Sequence, residues 1–181
     1  MKAVFLIGYM GSGKTTLGTA LSEELQCRFI DLDDYIEAKH HSTISDLFAR
    51  YGEEQFRQME HDALLEVAEM QQVVVACGGG TPCYHDNMST MNSLGITVFL
   101  TTSEDCLYAR LTLPEAKAKR PLIASKTPAE VRQFIHQALT VRMPYYSQAA
   151  ITFDSTDIET AETNAATAKV LAQLLRNSYG D

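Results

Sequence analysis

An apolar run, AVFLI, leads directly into GYMGSGKTT, Gly8 to Thr16, and this junction limits the possible folds more than any other stretch of the chain. Gly8, four intervening residues, Gly13, Lys14 and Thr15 have the spacing of a phosphate-binding loop, with a strand pattern before it and a helical pattern after it. Glycines so spaced let the backbone curl until successive N–H groups point inward, and the following helix aims its positive end at the same anion. Lys14 is placed to reach the outer phosphates of a nucleoside triphosphate, and the Thr15 hydroxyl to ligate Mg²⁺.

The rest of the chain continues this beginning. Ala3–Ile7, Val73–Cys77 and Ile96–Leu100 are β-branched and apolar without alternation, as expected of strands buried on both faces. Arg28–Asp31 and Ile151–Asp154 are weaker strand candidates. Segments of helical length lie between them: Lys14–Leu25, Glu53–Glu69, Ser103–Thr112 and Pro128–Met143. The alternation predicts an α/β fold with a parallel sheet and helices on both faces. At 181 residues, a single domain spanning 1–181 is expected. Leu113–Thr127 breaks the rhythm, with two prolines, Arg120 and several lysines but no helical periodicity, and reads as a lid. The end of the chain reads as a terminal helix with a frayed NSYGD tail.

Fifteen Lys and Arg against 23 Asp and Glu give a net charge of −8, which disfavours nucleic acid as a partner. The longest apolar runs are too short to cross a bilayer, and the amino terminus lacks the regions of a secretory signal, so a soluble, cytoplasmic protein is expected. The four cysteines form no CxxC pair, and neither they nor the five histidines show zinc-ligand spacing; the cysteines read as reduced packing residues.

Further candidates lie where ligands collect in an open parallel sheet, at the carboxyl ends of strands. In FIDLDDYIE, Asp31 stands at a strand tip and can hold Mg²⁺ through water, while Asp33 can accept a hydrogen bond from a substrate hydroxyl. Helix capping competes as a role for these aspartates and is the preferred reading for Asp34. Arg57 and Glu60 share a helical face, which is also what an ordinary solvated pair would do. Gly78, Gly79 and Gly80 follow a buried strand and leave main-chain N–H groups open to a ligand. Arg120 in AKRPLI and Arg142 in VRMPYY complete the set.

Taken together and in this order, GxxGSGKT, D-x-D, FR-x-x-E, GGG, the lid Arg-Pro and the late Arg resemble the shikimate kinase family from the phosphate loop to about Tyr146. The resemblance implies a three-layer P-loop kinase fold with five parallel strands in the order 2-3-1-4-5 and a mobile lid at about 113–127. It implies ATP-dependent phosphorylation of the shikimate 3-hydroxyl, with shikimate bound by the region at about 32–61. Gly11, Ser12, Gly13, Lys14, Thr15 and Thr16 would bind ATP, and Thr15 would bind Mg²⁺ with Asp31 in attendance. Asp33 would meet the reacting hydroxyl. Arg57 and Arg142 would clamp the shikimate carboxylate, near Glu60 and the three glycines, with Gly79 contacting a hydroxyl. Arg120 would close over the phosphates, so Lys14, Asp33 and Arg120 form the expected catalytic set. Arg110 is a candidate for the adenine side. Neither nucleic acid nor membrane is expected as a partner, and the expected state is a monomer. Two residues depart from the family pattern: Cys77 stands where threonine is common before the glycines, and Pro82 removes an N–H donor after them. The alternatives are another small-molecule kinase, gluconate-like or nucleotide, or a noncatalytic ATP-binding module.

Overall fold

A computed structural model describes residues 2–118 and 120–179, so Gly180 and Asp181 of the expected frayed tail lie outside it. The five strand segments become β1 (Ala3–Ile7), β2 (Arg28–Asp31), β3 (Val73–Ala76), β4 (Gly95–Thr101) and β5 (Ile151–Asp154). They form one sheet in the order β2-β3-β1-β4-β5, every pairing parallel, with Val4 set between Val74 and Ile96. The expected strand order is therefore the observed one.

The helices are α1 (Lys14–Leu25), α2 (Leu32–His40), α3 (Ile44–Ala68), α4 (Asn87–Leu94), α5 (Glu104–Thr112), α6 (Pro114–Ala118), α7 (Pro121–Ala124), α8 (Pro128–Tyr146) and α9 (Ala161–Tyr179). They cover both faces of the sheet because β1 is apolar at every position. Val4 and Leu6 pack with Leu17 and Leu21 of α1 and Leu171 and Leu175 of α9. Phe5 and Ile7 point the other way, into a cluster with Ile36, Leu64, Leu111 and Ile135. Each such side chain contributes about 1.5–3 kcal/mol by leaving water, so central β1 fixes the frame from which the phosphate loop projects. Gly18 brings α1 close: a Cβ there would meet Phe29 Cε2 at 2.6 Å and Leu6 Cδ1 at 3.0 Å.

Some local expectations change. The helix expected to begin at Glu53 starts at Ile44, where the Thr43 hydroxyl accepts from Asp46 N, and it kinks at Gly52 (φ 78°, ψ 173°). The kink interrupts the apolar periodicity and conceals the first two turns. Helix α8 continues past Met143 through Pro144 to Tyr146. Proline leaves the carbonyl four residues earlier without its helical partner but does not end the helix. The aperiodic stretch 113–127 holds α6 and α7, each too short to show a hydrophobic period. The cap of α2 is Asp31, whose side chain accepts from Asp33 N at 3.1 Å; Asp34, expected to cap, lies in the first turn. A strand leading straight into a helix makes its last residue the half-in position that caps.

Candidate functional site

The loop between β1 and α1 is built from the main chain. Gly8, Gly11 and Gly13 have φ of 145°, 82° and 91°. Lys14 Nζ donates to Gly8 O and Tyr9 O, both at 2.9 Å, which folds its stem over the loop. Ser155 Oγ, just past β5, donates to Ser12 O at 2.7 Å, and Arg110 Nη1, from α5, to Gly11 O at 3.1 Å. Ser12 is buried beneath the loop, with its own hydroxyl unpaired.

A cleft of about 470 Å³ opens above this loop. Gly11, Gly13, Lys14, Thr15 and Thr16 form its floor, Asp31, Asp33, Gly78 and Gly79 one wall, and Arg120 closes part of the rim. Thr15 Oγ1 donates to Asp31 Oδ2 at 2.9 Å, so the hydroxyl and the strand-tip carboxylate already meet. Arg120 Nη1 donates to Ala116 O at 2.7 Å, which ties its side chain to the end of α6.

Beyond this wall the glycine triplet gathers the remaining charged groups. A Cβ on Gly78 would lie 2.9 Å from Glu60 Oε1 and 3.1 Å from Asp33 Oδ1. On Gly79 it would lie 3.1 Å from Arg142 Nη1, and on Gly80 3.1 Å from Arg57 Nη2. Three successive residues beyond one strand end thus bring two carboxylates and two guanidinium groups together beside the phosphate loop. The carriers come from α2, α3 and α8, far apart in sequence. Glu60, which a solvated pair would leave exposed, is 1% exposed; it accepts from Arg57 Nη1 at 2.9 Å and from Thr81 Oγ1 at 2.5 Å.

Burial sets the electrostatics. Lys14 is lowered to about 8 by desolvation, opposed chiefly by the Asp33 carboxylate. Desolvation raises Asp33 to about 6, helped by Asp31 and Glu60 and opposed by Lys14. Cys77, buried at the end of β3, has its thiol held well above the usual range by desolvation, so it stays protonated and packs on Met91 Sδ at 3.7 Å. It lines the cleft without supplying the hydroxyl that threonine would. Pro82 opens a short 3₁₀ turn, Thr81–Cys83, where its missing N–H costs nothing.

The sequence reading missed several participants. Ile158 and Glu159 also line the cleft, just beyond β5, and Arg110 Nε pairs with Glu159 Oε1 at 2.6 Å. The rule that ligands collect past strand ends could have found them. Tyr146, at the end of α8, donates its hydroxyl to Gly79 O at 2.6 Å, and Tyr84 lays its ring 4.2 Å from the Arg57 Cζ. No motif marks either. Chemically, the arrangement can hold polyphosphate on main-chain N–H groups and a small anion on two arginines, with a carboxylate at the boundary between them.

The family model described as shikimate kinase matches residues 10–176. A shikimate kinase of Phocaeicola vulgatus is 49% identical over 159 residues, 88% of this chain and 90% of that protein. The crystal structure of shikimate kinase from Bacteroides thetaiotaomicron is similar with a TM-score of 0.91 and 43% identity, over 97% of this chain and 98% of that one. Shikimate kinase from Acinetobacter baumannii, solved in complex with shikimate, is similar with a TM-score of 0.82 and 30% identity, over 99% and 96%.

Proposed function

The chain belongs to the shikimate kinase family, and from that premise we propose how its side chains share the transfer of the ATP γ-phosphoryl group to the 3-hydroxyl of shikimate. The observation that carries the reading is the glycine triplet, flanked in turn by Asp33, Arg142 and Arg57, next to Lys14. Arg57 and Arg142 hold the shikimate carboxylate, because a planar guanidinium matches a carboxylate where an ammonium would not. Glu60 keeps Arg57 aimed, Gly79 lies against the ring hydroxyls, and Gly78 and Gly80 leave room for the side chains around them. Asp33, largely ionised above pH 6, takes the proton of the attacking hydroxyl.

Gly11 to Thr16 hold the ATP phosphates, with Lys14 on the outer ones and Arg120 brought over them by the lid at 113–127. The donor set suits Mg²⁺: the Thr15 hydroxyl and an Asp31 carboxylate are adjacent, while among the described residues no group of three or more His, Cys, Asp or Glu could form a protein cage. Thr15 and Asp31 would hold such an ion, which would supply neutralisation of charge on the phosphate oxygens. Most of the acceleration comes from holding hydroxyl and phosphoryl group in line in a site closed to water.

The working form is read as a cytoplasmic monomer without nucleic-acid or membrane partners. The net charge of −8 supports the nucleic-acid part, and no helix among the described residues is long and apolar enough to cross a membrane. An ADP-release assay of the purified protein with shikimate, gluconate, nucleosides and no acceptor tests the function. ADP release with shikimate alone is expected; release with gluconate or a nucleoside instead, or ATP binding without release on any acceptor, contradicts it.

A further inference from the structure

Behind the arginine clamp, a chain of buried polar groups ends at Asn87, a residue with no part in the reading above. Thr81 and Asn87 are each 0% exposed and Glu60 1%, so their polar atoms depend on one another for partners. Asn87 Nδ2 donates to Thr81 O at 2.8 Å. That commits Asn87 Oδ1 to accepting, so the 2.7 Å contact with His61 requires the proton on His61 Nδ1. The Thr81 hydroxyl then donates to Glu60 Oε1, and Glu60 Oε2 accepts from Arg57.

A second route reaches the same guanidinium. Asn87 N donates to Tyr84 O at 2.9 Å, and the Tyr84 ring lies against Arg57. The Tyr84 hydroxyl donates to Glu53 Oε1, which also accepts from Arg57 Nη2. Between Tyr84 and Asn87 the chain passes through His85 and Asp86 at φ of 48° and 54°. Side-chain-bearing residues in that region cost roughly 1–2 kcal/mol each, so the turn persists only because it is held at both ends.

We infer that Asn87, gripped by His61, is a positioning residue for acceptor binding: it fixes the turn 81–86 so that Thr81, through Glu60, and Tyr84, through its ring, hold the Arg57 guanidinium in place. The inference rests on the proposed role of Arg57 in the carboxylate clamp. Asn87 does not line the nucleotide cleft, and both routes from it converge on Arg57.

The test is a double-mutant cycle on the full chain, with kcat/KM for shikimate and KM for ATP measured for Asn87→Leu, Arg57→Ala and the double variant. Asn87→Leu is expected to lower kcat/KM for shikimate about tenfold in the native background, the size of one buried hydrogen bond. In the Arg57→Ala background the same change is expected to have less than about a twofold effect, since residues acting through one group are not additive. KM for ATP stays unchanged throughout. Equal losses in both backgrounds, or a matching change in KM for ATP, would show a general structural role and overturn the inference. Thr81→Val, which keeps the shape and removes the hydroxyl bond to Glu60, is run in parallel and must show the same coupling should Asn87→Leu fail to fold. Native shikimate turnover in Arg57→Ala would sink the clamp itself; an impaired Arg57→Ala beside a silent Asn87→Leu would sink only the role of Asn87.

Discussion

Two glycine-rich turns lie side by side at the cleft, a Cβ on Gly79 being 3.5 Å from Gly8 O, and their glycines are there for different reasons. In the phosphate loop the backbone itself requires glycine: Gly13 caps α1 at φ 91°, ψ 16°, a left-handed conformation that side chains resist. In the triplet none of Gly78, Gly79 and Gly80 is among the positive-φ glycines, and Gly80 has an ordinary φ of −94°. There the absence of a Cβ provides space, because Glu60, Thr81 and Asp33 at Gly78, Arg142 at Gly79 and Arg57 at Gly80 come within 2.9–3.1 Å of where a Cβ would stand. One side of the cleft is therefore a shaped main chain that a nucleotide can use with little side-chain chemistry. The other is an assembly of charged side chains, which the proposed function assigns to the acceptor.

If the two sides are separable in this way, changes on the acceptor side will spare the nucleotide. The largest effect is expected for Asp33→Asn, which removes the proton acceptor: kcat should fall by about a thousandfold, within the range for general-base catalysis, with the Kd for ATP unchanged by calorimetry. A native rate would remove Asp33 from the reaction. Next comes Arg142→Ala, expected to lower kcat/KM for shikimate about a hundredfold, as for loss of a charge-assisted contact, with KM for ATP unmoved. A parallel loss in KM for ATP would break the division between the two sides.

The glycines sharpen the comparison. Gly79→Ala puts a methyl group 3.1 Å from Arg142 Nη1, the flexible end of a side chain, and should raise KM for shikimate about tenfold with little change in Tm. Gly13→Ala would strain a left-handed cap and drive into Ile158 Cδ1; it should lower Tm and weaken ATP binding, read by thermal melts with and without nucleotide.

The smallest effects are in the pH profile, where each side supplies one limb. In the proposed mechanism Asp33 works deprotonated, so kcat/KM for ATP should rise as pH rises through about 6; Lys14 works protonated, so it should fall as pH rises through about 8. The loss beyond each limb is about tenfold per pH unit. Lys14→Arg should move the alkaline limb upward and leave the acid limb in place. A profile in which both limbs move together would mean that the two groups titrate as one pair.

The same contrast explains what the sequence made legible. The loop, β1 and α1 stand in one contiguous segment, so spacing and hydrophobic pattern alone reveal them, and the strand order follows from a resemblance carried by motifs along the chain. Asp33, Arg57 and Arg142 lie on three separate helices and acquire meaning together only through that resemblance, since Arg57 and Glu60 by themselves read as a solvated pair. Asn87, Tyr84 and Tyr146 belong to no motif, and each is tied to a partner more than twenty-five residues away that the sequence does not pair with it. The choice of Asp31 over Asp34 as the cap and the helices within 113–127 were concealed differently. A strand that runs directly into a helix leaves no linker to mark the cap, and helices of four or five residues have no period to read.

The central claim is that Arg57 and Arg142 together grip one carboxylate, and the most direct measurement replaces that carboxylate in the acceptor. Shikimate and its carboxamide are compared as substrates of the native enzyme and of Arg142→Ala by kcat/KM. The clamp predicts that the amide costs about a hundredfold in the native enzyme and a clearly smaller factor in the variant, where Arg57 alone still meets the carboxylate, because Arg142 and the carboxylate are two halves of one interaction. An amide penalty of the same size in both proteins would contradict it.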